Sequence, residues 1–161
     1  MLIKNLIDED FVNYKKPSMF IGCHSCTFKC DKLAGKQVCQ NGTLANAPNI
    51  NINTKKLVNR YLENSYSEAV VFGGLEPFDD IDNVIKFIIE LRNKCKDDVV
   101  IYTGYTEEEI QNRYEPEFKQ LVSLKNIIIK YGRFIPNEKS HIDEILGVSL
   151  QSSNQYAVKI S

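Results

Sequence analysis

The sequence predicts an α/β protein organised around a largely parallel sheet. Three observations predict it. Three compact apolar runs, "EAVVFGG" (68–74), "DVVIYTGY" (98–105) and "NIIIKYG" (126–132), each lead into glycine, as buried parallel strands do. Stretches of helical period separate these runs. The 161 residues, 43% of them hydrophobic, are enough for one domain (1–161) with a real core.

Taken in order, "SMFIGC" (18–23) reads as a short buried strand closed by a Gly-containing turn. The cysteine-rich segment at about 23–43 has neither a helical nor a strand period and reads as a loop. "APNININTKK" is also loop-like, with Pro48 and several asparagines. Asn53 or Thr54 caps a helix over 55–64, with Leu57, Val58, Tyr61 and Leu62 on one face. The strand at 68–74 is followed by a helix over 81–94, whose Ile81, Val84, Ile85, Ile88 and Leu91 share a face. After the strand at 98–105, Thr106 and Glu109 form a capping box for a helix over 107–113. The acids of "TEEEI" read as a solvated helix start favoured by the helix dipole. The third strand spans 126–132, and the weakly alternating tail at 154–160 reads as an edge strand. In sheets of this kind, ligands bind at the carboxyl ends of the strands.

Net charge is −1, so bulk electrostatics call for neither nucleic acid nor an anionic membrane. No apolar run reaches the roughly 18–20 residues that span a bilayer. The N-terminal "MLIKNLIDEDF" carries acids and no signal-peptide core, which makes the cytoplasm the expected compartment. Disulfides are rare there, so clustered cysteines read first as metal ligands or redox groups.

Four of the five cysteines fall between positions 23 and 39; Cys95 reads as an ordinary helix-end residue. Cys26 and Cys30 bring two sulfurs to one site from a tight loop. Cys39 joins them if the chain folds back, which Gly35 eases. Soft thiolates select zinc, copper(I) or iron–sulfur clusters. Three metal readings compete. One is structural zinc held by ligands from Cys23, Cys26, Cys30 and Cys39, with His24 as a further candidate. The second is a four-cysteine [4Fe-4S] cluster for electron transfer. The third is a three-cysteine cluster with one iron open to a ligand. Cysteines without any metal are the plain alternative.

The motifs resemble a known family. "CTFKC" resembles the opening of the radical S-adenosylmethionine motif C-x3-C-x2-C, and "CQN" its end in glycyl-radical activating enzymes. Eight residues separate Cys30 from Cys39 where two are usual, which reads as a six-residue insertion, "DKLAGK", in the cluster loop. Val38 stands where an aromatic is usual. "FGGLEP" (72–77) resembles the family's G-G-E-P stretch with Leu75 inserted. "IYTGYTEEEI" (101–110) is similar to a stretch of the anaerobic ribonucleoside-triphosphate reductase activating proteins. "KYGRFI" (130–135) and "LQSSNQYAVKI" (150–160) resemble two later segments, with departures at Lys130, Tyr131 and Tyr156. The resemblance runs from Ser18 to Ile160.

It implies an incomplete, curved parallel β/α barrel of the radical S-adenosylmethionine type with the cluster loop at its open mouth. Cys26, Cys30 and Cys39 would hold a [4Fe-4S] cluster and so carry catalysis. The open iron would bind the amino and carboxylate groups of S-adenosyl-L-methionine, whose cleavage yields a 5′-deoxyadenosyl radical. Gly73 and Gly74 would let that cofactor lie against a strand end, and Glu76 would accept from its ammonium. Thr103 and Gly104 end a strand on the ligand side. Phe28 shields the cluster, approaches the adenine or anchors the core, and Asn41 orders the loop by side-chain bonds to backbone. Tyr105 touches the ligand or packs. Cys23 is an alternative ligand, and His24 a bystander. The implied partners are the large catalytic subunit of an anaerobic ribonucleotide reductase, on which a glycyl radical is made, and an electron donor such as flavodoxin or ferredoxin. A different radical enzyme and a non-enzymatic zinc module are the alternatives.

Overall fold

The computed structural model describes residues 1–161. Its centre is four parallel strands in the order β2 (Ser18–Cys23), β4 (Ala69–Gly73), β5 (Asp98–Tyr102) and β6 (Ile127–Tyr131). β1 (Leu2–Asp10) and the two-residue β3 (Ile50–Asn51) extend the β2 side antiparallel, and β9 (Tyr156–Lys159) closes the β6 side antiparallel. The result is a mixed seven-stranded sheet with β3 and β9 at its edges. The parallel register pairs Gly22 with Gly73 and Tyr102 with Lys130. The glycine-terminated ends therefore fall near one another along one edge of the sheet.

Alternation along each strand divides the core in two. Ile21, Val70, Phe72, Ile101 and Ile129 face one side, where helices cover them. Those helices are α3 (Thr54–Glu63), α4 (Ile81–Arg92), α5 (Glu107–Arg113) and α6 (Glu115–Ser123). Val71, Val100 and Ile128 face the other side, packed with Tyr14, Leu146 and Leu150. Leu150 belongs to a separate hairpin of β7 (His141–Asp143) and β8 (Val148–Leu150). One face of the sheet is thus walled by helices and the other by a loop and a hairpin. No helix is long and apolar enough to cross a membrane.

Several elements differ from the sequence expectation. β1 has no clear period in sequence because its pairing with β2 slips between Ile3 and Asn5 and again between Ile7 and Asp10, which breaks the alternation. Ile3 is buried in the core, while Leu2 and Ile7 are more than a third exposed. The cysteine segment is not all loop: α1 (Lys29–Ala34) and α2 (Gly42–Ala45) interrupt it, both without a buried residue. At six and four residues, both helices are too short to show a period. Asn53 caps α3 by accepting from Lys55 and Lys56. Leu57, Val58 and Tyr61 are buried, whereas Leu62 is 40% exposed at the rim of the stripe. α4 ends at Arg92, two residues early, and the Arg92 side chain donates to the carbonyls of Lys125 and Asn126. α6 and the β7–β8 hairpin are additions that short, half-exposed segments did not reveal.

The Thr106–Glu109 capping box is present, each side chain bonding the other's backbone N–H. Phe72 and Phe87 meet edge to face at 5.3 Å, both fully buried where β4 packs on α4. Phe87→Ala should therefore cost about 3–5 kcal/mol of unfolding free energy, read by urea denaturation. Leu62→Ala, on the same helical layer but exposed, should cost about 1 kcal/mol or less.

Candidate metal and cofactor site

At the carboxyl ends of β4, β5 and β6 lies a cavity of about 480 Å³. Its lining includes Cys26, Cys30, Cys39, Asn41, Gly73, Gly74, Glu76, Thr103 and Gly104. The fold thus gathers these residues, spread over 79 positions of the chain, around one hollow. Phe28 is not in the lining. It packs against the main core, with its backbone in the left-handed region at φ 51°. That conformation is rare for a bulky residue. It turns the Phe28 N–H onto the Cys26 Sγ at 3.3 Å and starts α1.

The cluster loop is folded back by a residue that sequence reading missed. Oδ1 of Asp31 accepts from the backbone N–H groups of Val38 and Cys39, at 2.7 and 2.8 Å. The segment between Cys30 and Cys39 is therefore a closed excursion, with α1, Gly35 in the left-handed region and a return held by one carboxylate. Asn41, expected to order this loop, makes no capping bond with its side chain. A second tie comes from α5. Glu109 accepts from Lys29, next to Cys30, and from Arg133 at 2.7 Å. These contacts hold its carboxyl down at about 2. Its sequence neighbours are solvated as expected, but Glu109 itself links the loop to the cavity wall.

All five cysteines are free thiols. No three His, Cys, Asp or Glu side chains stand in metal-ligand geometry. Burial pushes Cys26 up to about 11, and burial together with neighbouring Cys39 does the same for Cys30. Binding a metal would displace those protons. Cys23 is 3% exposed within the helix-side core and outside the lining, and burial raises its thiol far above the ordinary range. His24 faces Asp80 and is also outside the lining. So the cavity offers three thiols and no fourth, and thiolates are the donors that iron–sulfur clusters take.

The strand ends form a polar knot. Glu76, 6% exposed, accepts from Phe78 N–H at 3.1 Å, Thr103 Oγ1 at 2.7 Å and Gly104 N–H at 2.8 Å. Burial pushes its carboxyl up to about 7 against the pull of these donors. Gly74 takes φ 77°, and a Cβ there would lie 2.5 Å from Leu44 Cδ2. A side chain at this position would be strained by that φ and would push the Leu44 side chain aside. Tyr105 packs: it is 3% exposed, its hydroxyl donates to Asp79, and it is not in the lining.

Lys130 was a second omission. It is 6% exposed and lines the cavity, and desolvation lowers its ammonium to about 8. The available signal was a lone lysine in the run "NIIIKYG".

A model of the "4Fe-4S single cluster domain" family matches residues 17–156. The chain belongs to that family and is therefore an iron–sulfur protein. No curated protein and no solved structure gives a significant match.

Two outcomes follow from this geometry. Asp31→Ala should weaken metal retention about 10- to 100-fold in chelator competition, while Asp31→Asn, which keeps Oδ1 as an acceptor, should stay near wild type. The second concerns Lys130, whose folded value of about 8 lies below the ordinary 10.5. The unfolded chain then binds more protons between those values, so this residue makes stability rise with pH from about 8 upward. Urea denaturation of cluster-free protein at pH 8 and 9.5 should show that gain in wild type and not in Lys130→Met. The difference should be at most about 1.4 kcal/mol per pH unit.

Proposed function

We propose that the protein is a radical S-adenosylmethionine enzyme that installs a glycyl radical on the large catalytic subunit of an anaerobic ribonucleotide reductase. One observation carries the reading: three thiols, with no fourth, line a cavity at the carboxyl ends of parallel strands in a 4Fe-4S family chain. The sequence motifs at 72–77, 101–110 and 150–160 narrow the reading to the activating enzymes. On this proposal the sheet is the incomplete, curved barrel of the radical S-adenosylmethionine type.

Cys26, Cys30 and Cys39 would hold the [4Fe-4S] cluster. The chemistry that such a cluster supplies is one-electron cleavage of the bound sulfonium, yielding the 5′-deoxyadenosyl radical that takes hydrogen from a partner glycine. The chain's own residues bind, orient and exclude water. Glu76 lines the hollow, where three donors fix its carboxylate to accept from the ligand's amino group. Gly73 and Gly74 keep the strand end low. Phe20 and Tyr102 give the wall an apolar, water-excluding surface beside them. The hollow of about 480 Å³ is within the range of pockets that enclose a nucleoside-sized cofactor. Flavodoxin or ferredoxin would serve as electron donor, and the cytoplasm is the compartment where these partners meet.

Anaerobic reconstitution tests the reading. Wild-type protein should take up about four irons per chain and cleave S-adenosyl-L-methionine when reduced. Ala at Cys26, Cys30 or Cys39 should abolish cleavage, and Cys95→Ala should not. Colourless protein with stoichiometric zinc, or an active Cys39→Ala variant, would falsify the assignment. Transfer of the radical to a reductase subunit, read by paramagnetic resonance, separates this enzyme from one with another substrate.

A further inference from the structure

The cluster loop has an outward face that the rest of the chain does not use. Between Cys30 and Cys39 the chain runs through α1, Gly35 and the return held by Asp31. Cys30 and Cys39 line the cavity, whereas Lys32, Leu33 and Lys36, which lie between them in sequence, do not. All three are exposed, Leu33 at 67%. No salt bridge involves Lys32 or Lys36. Lys29, the third lysine of the loop, is taken by Glu109. An excursion that had only to return to Cys39 would be served by polar turn residues. This one instead shows solvent a leucine flanked by two free cations. It is also the segment by which the chain departs from the C-x3-C-x2-C spacing.

Charge and position indicate what covers it. From Phe11 to Leu62 the sequence holds eight lysines and arginines and one acid, Asp31. Oδ1 of that acid is committed to the backbone of Val38 and Cys39. The whole chain carries −1, so the positive charge of the loop is local. A cationic surface with an apolar centre is complementary to carboxylates set around an apolar patch. Position then selects among acidic partners. A polypeptide that presents a glycine to the cavity has to enter past the lining residues, and this face is outside the lining. A one-electron carrier has only to come close to the sulfur ligands. Lys32 is two residues from Cys30, and Lys36 is three from Cys39. The matched family domain is one of a single cluster, so the proposed function needs its electron from outside the chain.

We propose that Lys32, Leu33 and Lys36, the outward face of the cluster-loop insertion, form the docking surface for an acidic one-electron carrier protein. The assignment rests on the reading that Cys26, Cys30 and Cys39 hold a redox-active [4Fe-4S] cluster. In the docked pair one electron passes from the reduced carrier to the cluster. The carrier is oxidised by one electron, the cluster is reduced by one, and no bond or proton moves. Leu33 supplies the apolar centre of the contact, and the two lysines steer the approach through an attraction that salt screens.

The test uses anaerobically reconstituted protein and two acidic carriers, a flavodoxin and a ferredoxin. Their oxidised forms are binding probes in isothermal titration, and their reduced forms are electron donors in stopped flow. Photoreduced 5-deazariboflavin, an uncharged small molecule, is the control donor. Wild type should bind a carrier with an affinity that falls as salt is raised. Lys32→Glu combined with Lys36→Glu should weaken that binding, and slow cluster reduction by the same carrier, about 10- to 100-fold at low salt. Iron content and reduction by 5-deazariboflavin should not change. Lys125→Glu combined with Lys139→Glu alters net charge equally at other exposed positions and should stay within about 3-fold of wild type. Should the double glutamate variant fail to load iron, Lys32→Gln combined with Lys36→Gln gives the same readout with a smaller loss. A loaded variant that binds the carrier and takes its electrons like wild type overturns the docking surface and leaves the proposed function standing. So does a wild type that 5-deazariboflavin reduces and neither carrier does. Loss of radical transfer to a reductase subunit with carrier reduction intact gives the surface to another partner and overturns the proposal equally. A wild type that loads no iron overturns both readings.

Discussion

The four parallel strands are buried on both faces, by helices on one side and by a loop and hairpin on the other. That burial leaves polar chemistry little room except where the strands stop. The strands stop in near register, so their ends share one edge. Glu76 exploits the arrangement. Its carboxylate leaves the end of β4 and collects hydrogen bonds from the end of β5, which locks the two strand ends together. The same bonds spend the donors of Thr103 and Gly104 on the protein itself. Those two residues therefore act by fixing Glu76, and Glu76 presents the remaining charge to the hollow.

The cluster loop is organised on a different principle. Neither of its short helices has a fully buried residue, and packing reaches it only through partly buried side chains such as Phe28 and Leu44. Directional contacts supply the rest. Phe28 adopts a backbone conformation that costs a bulky residue of order 1–3 kcal/mol and places its N–H on the Cys26 sulfur. Asp31 clamps the return of the chain at Cys39, and Glu109 reaches from α5 to Lys29. The long interval between the second and third cysteines is thus no slack linker. It is a short helix and a turn closed by a carboxylate, which brings Cys39 back beside Cys30.

Charge in the cavity is distributed unevenly between satisfied and unsatisfied groups. Arg133 and Glu109 neutralise each other at the rim. Glu76 is held by three donors, and Lys130 by one acceptor. The overall charge of −1 reveals none of this, because what matters at the site is which of the groups lacks a partner.

The periodic elements were legible in sequence. Runs such as "EAVVFGG" and the stripe of Ile81, Val84, Ile85, Ile88 and Leu91 carry their own signal, since a strand buried on both faces and a helix buried on one need those patterns. The Thr106–Glu109 box was equally local, a matter of two side chains and their own backbone. The cysteine trio and the glycine pair could also be named from spacing and resemblance. Tertiary structure alone decided the rest. It set Cys23 in the core and Cys26 at the cavity, three residues apart, because the strand ends between them. It gave Asp31 rather than Asn41 the task of closing the loop. It also exposed Lys130 as a buried cation without a counter-ion. These outcomes depend on which residues from distant segments meet, and no local pattern records a meeting between β6, β5 and the end of β4.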